Sequence, residues 1–201
     1  GGLGWYLGIW VTMMAAMMLP TAAPAAVGVA RRGLPTLLFA GGYLAVWTGF
    51  GLAAYGFYRL ATAFAPKWVA WDESGPYLAG GLIAAAGLYE LTPLKRICLR
   101  HCRMPLPDGR ALRSGLVHGV HCVGCSGGLM VVLFAVGVMS LFWMALVAVV
   151  IFAEKVLPRG RELSPFVAVA VIVLGTWVAV SPSTVPALTE PSEMPSMRME
   201  S

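Results

Sequence analysis

The chain alternates between long apolar segments and short polar ones, and the apolar segments determine its predicted architecture. A helix needs about 20 mostly apolar residues to cross the hydrocarbon core of a bilayer. Six segments approach or exceed that length, and we predict a transmembrane helix in each. They cover residues 4–28, 35–60, 76–93, 115–138, 140–157 and 163–181. The pattern therefore predicts an all-α, polytopic transmembrane bundle of about six spans.

Prolines modify two of these segments. Pro20 and Pro24 lie inside the first, where a proline removes a backbone hydrogen bond, so we expect a kink or an early end there. The third should end near Pro93, because the residue before a proline disfavours helical backbone. The C-terminal stretch is rich in Pro, Ser and Glu. We therefore predict a transmembrane helical domain over residues 1–181 and a disordered tail over residues 182–201.

The composition agrees with a membrane location. Hydrophobic residues make up 59% of the 201 residues and charged residues 11%, whereas soluble domains carry about 25% charged residues. We expect the lipid bilayer as a partner, other membrane-protein subunits as further candidates, and no nucleic acid. No phosphate-binding loop or other catalytic motif occurs, which favours a role other than an enzyme. The chain begins at Gly1 without a methionine, which leaves room for an upstream segment.

The basic residues fall on alternate loops. Eleven of the fourteen Lys and Arg residues lie in the first, third and fifth loops, and the others are Arg59, Lys67 and Arg198. Cytoplasmic loops carry an excess of Lys and Arg. We therefore predict a multi-pass protein of the inner (plasma) membrane, with both termini outside the cytoplasm and the third loop inside it.

Every cysteine and histidine lies in one window, residues 98–125, at the predicted cytoplasmic ends of spans three and four. In residues 118–125 the cysteines and histidines have the i, i+3, i+4, i+7 spacing of one face of a helix. In residues 98–102 they repeat the i, i+3, i+4 part of that spacing. Thiolate and imidazole suit copper, zinc or iron, and clustered cysteines in a reducing compartment are more often ligands than disulfides. We predict a transition-metal site, with copper or zinc favoured over iron. The candidate ligands are Cys98, His101, Cys102, His118, His121, Cys122 and Cys125.

Three further residues are secondary candidates. Glu90 and Glu154 border the third and fifth spans at a similar level, where a carboxylate could ligate metal, orient a histidine or relay a proton. Each could instead form an ion pair, Glu90 with Lys95 or Arg96, and Glu154 with Lys155 or a neighbouring basic residue. Met130 offers a thioether, a ligand that selects Cu(I), but methionine is also an ordinary residue of packed helices. For the four methionines of the first span we favour packing.

Several short stretches match a known family pattern. They are AMMLP (16–20), YLAVW (43–47), LTPLKRICLRHCRMP (91–105), HCVGC (121–125), LM (129–130), GVM (137–139), WM (143–144) and EK (154–155). In these stretches the chain resembles the bacterial predicted metal-binding integral membrane proteins, a multi-span family of unknown function, over about residues 13–160. The resemblance implies that all four cysteines are family positions at which a metal binds. Family members often carry a further cysteine where this chain has Ser126.

Three functions are compatible with these features. The favoured one is metal handling or delivery through the Cys/His cluster, because polar residues in the middle of the spans are too few for an obvious transport path. The alternative is an accessory or structural subunit of a larger membrane complex, with no catalytic metal. The third is a membrane thiol or electron-transfer protein, since a C-x-x-C motif beside histidine permits redox chemistry.

Overall fold

The protein is all-α throughout the residues that a computed structural model describes, namely 2–64, 71–104, 110–136 and 141–180. This part of the chain forms seven helices. In chain order they are α1 (Leu3–Arg31), α2 (Thr36–Phe64), α3 (Trp71–Glu90), α4 (Pro93–Arg103), α5 (Ala111–Val136), α6 (Leu141–Val156) and α7 (Gly160–Val180). The predicted disordered tail, residues 182–201, lies outside the described residues.

Each of the six predicted apolar segments overlaps one long helix, and α4 is an additional short one. Within the described ranges, α1, α2, α5 and α7 are long and apolar enough to cross a membrane. Helix α6 has 16 residues, fewer than a straight crossing requires, and α3 begins with a polar stretch, WDES. Four candidate spans are thus observed, and the count of six stays a prediction.

Helix α1 continues through Pro20 and Pro24 to Arg31, so the expected early end at these prolines is wrong. The helix ends instead at Gly33, whose φ of 70° lies in the left-handed region that glycine adopts without a steric penalty. Backbone N–H groups of this turn donate to the last carbonyls of the helix. The arrangement is a Schellman motif, which satisfies carbonyls that have no partner within the helix.

Helix α5 lies at the centre of the bundle and contacts α2, α3, α4 and α6. Of its most apolar stretch, 56% is buried inside the protein, against 28–33% for the other three candidate spans. Gly115 and Gly119 allow α2 to approach closely: a Cβ on Gly115 would overlap the backbone of Phe39, and one on Gly119 would lie 3.0 Å from Val46. Small residues at such contacts let two helix backbones approach.

Helix α4 is the element that brings the first cysteines to α5. Its start is defined by Thr92, whose side chain accepts a hydrogen bond from the backbone N–H of Lys95, and by Pro93 in the first turn. This start also confirms that α3 ends just before Pro93. Helix α4 then packs along α5. Cysteines from two separate stretches of the sequence therefore face one another.

Candidate metal site

Two of the predicted ligands form a thiol pair across the contact between α4 and α5. The Sγ atoms of Cys102 and Cys125 lie 3.5 Å apart, and neither residue is in a disulfide. Cys125 is buried, and Cys102 is partly exposed. The Cys125 thiol also donates to the carbonyl of Cys122 at 3.4 Å. We refer to Cys102 and Cys125 as the thiol pair.

Cys122 lies deeper, in a polar environment built by three helices. Lys155 of α6 donates from Nζ to the Cys122 Sγ at 2.8 Å, and the hydroxyl of Tyr43 on α2 lies 2.9 Å from the same sulfur. Lys155 also donates to the Ser126 hydroxyl at 3.4 Å. All four side chains are almost fully buried. A buried ammonium group therefore lies directly beside a thiol, one helical turn from the thiol pair.

Cys98 lies at the same seam as the thiol pair, packed against the backbone of α5. A Cβ on Gly124 would be 2.6 Å from the Cys98 Sγ, so the sulfur occupies space that any larger residue at position 124 would need. Burial raises the pKa of the Cys98 thiol. Burial thus favours the neutral thiol of Cys98 over its thiolate, and the sulfur packs beside the pair.

The three histidines divide between two locations. His101 of α4 and His121 of α5 stack with ring centroids 4.7 Å apart, on the outer side of the contact. His118 is buried where α5 contacts α2, with its ring 5.8 Å from those of both Phe39 and Tyr43. The predicted stripe on α5 therefore faces several neighbours, because a central helix contacts a different partner on each side.

The predicted single cluster is divided into smaller groups in the structure. Among the described residues, no three His, Cys, Asp or Glu side chains come together in a way that could hold one metal ion. Structural zinc requires about four ligands in a tetrahedron. The described part of the chain therefore gives no support to zinc, and none to iron.

The two carboxylates belong to a buried ion cluster instead of a ligand set. Lys95 donates from Nζ to both carboxylate oxygens of Glu154, at 2.9 and 2.8 Å, and it also forms an ion pair with Glu90. All three side chains are buried. Desolvation lowers the pKa of Lys95, and the charge of Glu154 acts in the opposite direction. Lys95 of α4 is thus the partner of both carboxylates: the expected pairing of Glu90 with Lys95 is confirmed, and Glu154 pairs with a different basic residue from the adjacent Lys155. The third secondary candidate, Met130, is buried in the apolar core.

Arg103 fixes the other end of α4 against α6. Its guanidinium donates to the carbonyls of Glu154, Leu157 and Pro158, at 3.0, 2.5 and 3.3 Å. These carbonyls lie at the C-terminal end of α6, where backbone acceptors lack helical partners and a positive charge is favourable. Together with Lys95, this contact holds the two cysteines of α4 in a fixed position relative to α6.

A cavity of about 410 Å³ gives access to the thiols. Its lining includes Cys102, His118, Lys155, Arg32 and Arg103. The charged residues of the lining are all basic, so an anionic ligand is favoured over a free cation in this space. The thiol pair can therefore be reached from outside through Cys102.

The sequence did not reveal the polar residues around Cys122. In the sequence, Tyr43 stands out only as part of a family motif, and Ser126 only as a position where family members carry a cysteine. Lys155 stands out only in the EK motif and as a possible partner of Glu154. One general rule could have identified Lys155: an ionisable side chain in an otherwise apolar helix is a candidate for function. Arg103 could not have been found in this way, because basic residues are common on loops.

Comparison with known proteins identifies a family for this chain. The chain matches the family described as PpoB2, copper chaperone, over residues 7–178. It belongs to that family, since the match covers most of its length. No curated protein and no solved structure matches the chain significantly.

Proposed function

We propose that this protein is a membrane-embedded copper chaperone that holds Cu(I) between Cys102 and Cys125 and passes it to an acceptor. The observation that carries the proposal is the 3.5 Å separation of the two sulfurs, which come from different helices. The family match supplies the metal, because its members are described as copper chaperones. Thiolates select Cu(I) among the transition metals, which agrees with that description.

The separation of the thiols suits one shared metal ion. A first-row metal–thiolate bond is about 2.3 Å long, taking zinc as the guide. Two sulfurs at that distance from one ion lie about 3.5 Å apart when the angle at the metal is about 100°. A small opening of the pair would widen the angle toward the linear arrangement that two-coordinate Cu(I) prefers. Cu(I) can therefore bind without any large movement of α4 relative to α5.

The charges around the pair also suit a Cu(I) complex. One Cu(I) ion with two thiolates carries a net charge of −1, which is costly to bury without a counter-charge. Lys155 supplies a buried positive charge 2.8 Å from Cys122, one turn along α5 from Cys125. Lys95 also lies near Cys125, but Glu90 and Glu154 offset its charge, so Lys155 is the ammonium that could balance the complex.

Delivery requires that a second protein or carrier can reach the metal. Cys102 is partly exposed and lines the basic cavity, so an incoming thiolate can displace it while Cys125 still holds the ion. The four long apolar helices favour insertion in a bilayer. We further propose that α4 and the cavity lie at the cytoplasmic side, as the distribution of basic residues predicts.

The test is a Cu(I) titration of the purified protein, in detergent and under reducing conditions, against a competing Cu(I) chelator. We expect the wild type to bind one Cu(I) tightly and C102S/C125S to lose that tight binding. C98S is the matched control, because Cys98 lies on the same helix and should leave the tight site intact.

Two results would contradict the proposal. Absence of tight Cu(I) binding in the reduced wild type would show that the protein does not hold copper. Tight binding that survives in C102S/C125S would assign the metal to other residues. If the pair instead forms a disulfide reversibly and binds no copper, the thiol electron-transfer function takes its place.

A further inference from the structure

The basic cavity beside the thiol pair has the composition of a binding site for an anion. Residues of α1, α4, α5 and α6 contribute to it, and its volume of about 410 Å³ falls in the range of small-molecule sites, about 300–1,000 Å³. Its charged residues are Arg32, Arg103 and Lys155, and the described part of its lining contains no carboxylate. Three positive charges therefore lie around one space, which attracts an anion.

Two of these cations are oriented by groups that do not neutralise them. Arg103 donates to three backbone carbonyls at the end of α6. Lys155 donates to the sulfur of Cys122 and to the hydroxyl of Ser126. Carbonyl and hydroxyl oxygens accept hydrogen bonds but carry no net charge. These contacts hold the two cations in position and leave their charge available to an anion.

The cavity leads to one thiol of the pair before the other. Cys102 belongs to its lining and is partly exposed, whereas Cys125 is only 1% exposed and lies behind it, with the two sulfurs 3.5 Å apart. Copper that enters from this side therefore meets the Cys102 sulfur first. The surrounding positive charges repel a free Cu(I) ion. The ion has to arrive within a negatively charged complex.

We propose that the cavity binds a small anionic thiol compound that brings Cu(I) to Cys102 as a bis-thiolate complex. The inference rests on the proposed chaperone function, since it names the chemical class of the copper donor. Thiolates are the preferred ligands of Cu(I), and two thiolates around one Cu(I) give a net negative charge, to which carboxylates of the carrier add. A lipid headgroup has the charge but no thiol for the metal, and an acidic protein segment needs an open surface instead of an enclosed cavity.

The transfer is a ligand exchange with no change of oxidation state. The Cys102 sulfur forms a bond to Cu(I) while the bond between the ion and one carrier sulfur breaks, and the Cys102 thiol proton passes to the departing carrier thiolate. Cys125 then replaces the second carrier thiolate in the same way. Two protein thiols and one bis-thiolate complex thus give one protein-bound Cu(I) and two carrier thiols, so protons and charge are conserved.

The first experiment compares two Cu(I) donors of opposite charge. Reduced glutathione forms an anionic Cu(I) complex, and cysteamine, a thiol with an amine and no carboxylate, forms a cationic one. Each rate of Cu(I) transfer to the protein, in a non-ionic detergent, is divided by the rate at which the same donor supplies a neutral chelator. We expect the wild type at low salt to take Cu(I) from glutathione about 10-fold faster than from cysteamine, and the difference to shrink at high salt.

Two arginine variants locate the effect in the cavity. R32Q should slow transfer from glutathione about 5-fold, because one positive charge of the lining is lost, and should not slow transfer from cysteamine. R31Q is the matched control, since Arg31 is exposed at the same end of α1 and lies outside the lining. Equal normalised rates for the two donors, or equal slowing in R32Q and R31Q, would overturn the inference.

A second measurement uses no copper and so separates this inference from the chaperone proposal. S-methylglutathione keeps the charges of glutathione but has no free thiol. At millimolar concentration it should protect Cys102 of the reduced protein from iodoacetamide, as read by peptide mass spectrometry, and protection should be weaker in R32Q than in R31Q. Such protection in a protein that binds no Cu(I) would refute the chaperone proposal and still support binding of the anionic carrier.

Two results of this measurement would overturn the inference even if Cu(I) binds to the thiol pair. One is the absence of protection by S-methylglutathione. The other is protection by phosphatidylglycerol added to the detergent micelles and not by S-methylglutathione, which would assign the cavity to a lipid headgroup.

Discussion

Replacing Lys95 with methionine should destabilise the protein strongly, because this lysine neutralises two buried carboxylates. Lys95 is fully buried and contacts Glu154 through two hydrogen bonds and Glu90 through an ion pair. Removing one partner of a buried ion pair costs about 3–5 kcal/mol, since the remaining charge has no compensation. For a chain of this size, each kcal/mol lowers the melting temperature by about 2–4 °C. K95M should therefore melt about 6–20 °C below the wild type.

The assay is thermal unfolding in detergent, followed by tryptophan fluorescence or circular dichroism. The control is the triple variant K95M/E90Q/E154Q, which removes the negative charges together with the lysine. Replacing a whole buried ion cluster by neutral groups is often close to neutral, so the triple variant should recover most of the lost stability. A K95M protein that melts with the wild type, or a triple variant as unstable as K95M, would refute this reasoning.

Three further substitutions, with G127A as a control, test packing and the environment of Cys122. G115A should cost about 1–3 kcal/mol in the free energy of unfolding, because a Cβ there overlaps the backbone of α2, whereas G127A has nothing within 4 Å of the added Cβ and should not destabilise. Chemical denaturation measures both, and equal stabilities would contradict the close contact. K155M should weaken Cu(I) binding about 10- to 100-fold in chelator competition, as loss of a group that supports a metal site typically does. Y43F removes one hydrogen bond of about 0.5–1.5 kcal/mol to Cys122 and should weaken Cu(I) binding about 2- to 12-fold. Unchanged affinity in both K155M and Y43F would show that the surroundings of Cys122 do not affect copper binding.

The helices were predictable from the sequence because their causes are local. Long apolar runs and Pro93 define where most of them begin and end. The continuation of α1 through Pro20 and Pro24 was not predictable in the same way. Proline removes its own backbone donor and crowds the carbonyl one turn earlier, but surrounding packing can hold the helix together where that contact is lost. The glycine turn at Gly33, on the other hand, ends α1 by a contact that the sequence does signal.

The candidate site was only partly predictable, since it depends on which helices become neighbours. Periodicity indicated that His118 and Cys125 lie on one side of a helix, but not that one faces α2 and the other α4. The cysteine content pointed to thiol chemistry, and the pairing of Cys102 with Cys125 required the packing of α4 on α5. Lys155 reached Cys122 from a helix about thirty residues further along the chain, a contact that no local pattern contains.

The most direct test of the central claim is the copper K-edge X-ray absorption spectrum of the full chain loaded with one equivalent of Cu(I). The thiol pair predicts a first shell of sulfur alone, with bonds of about 2.3 Å, and loss of that shell in C102S/C125S. A first shell of nitrogen or oxygen in the wild type, or a sulfur shell that persists in C102S/C125S, would contradict the assignment of Cu(I) to Cys102 and Cys125.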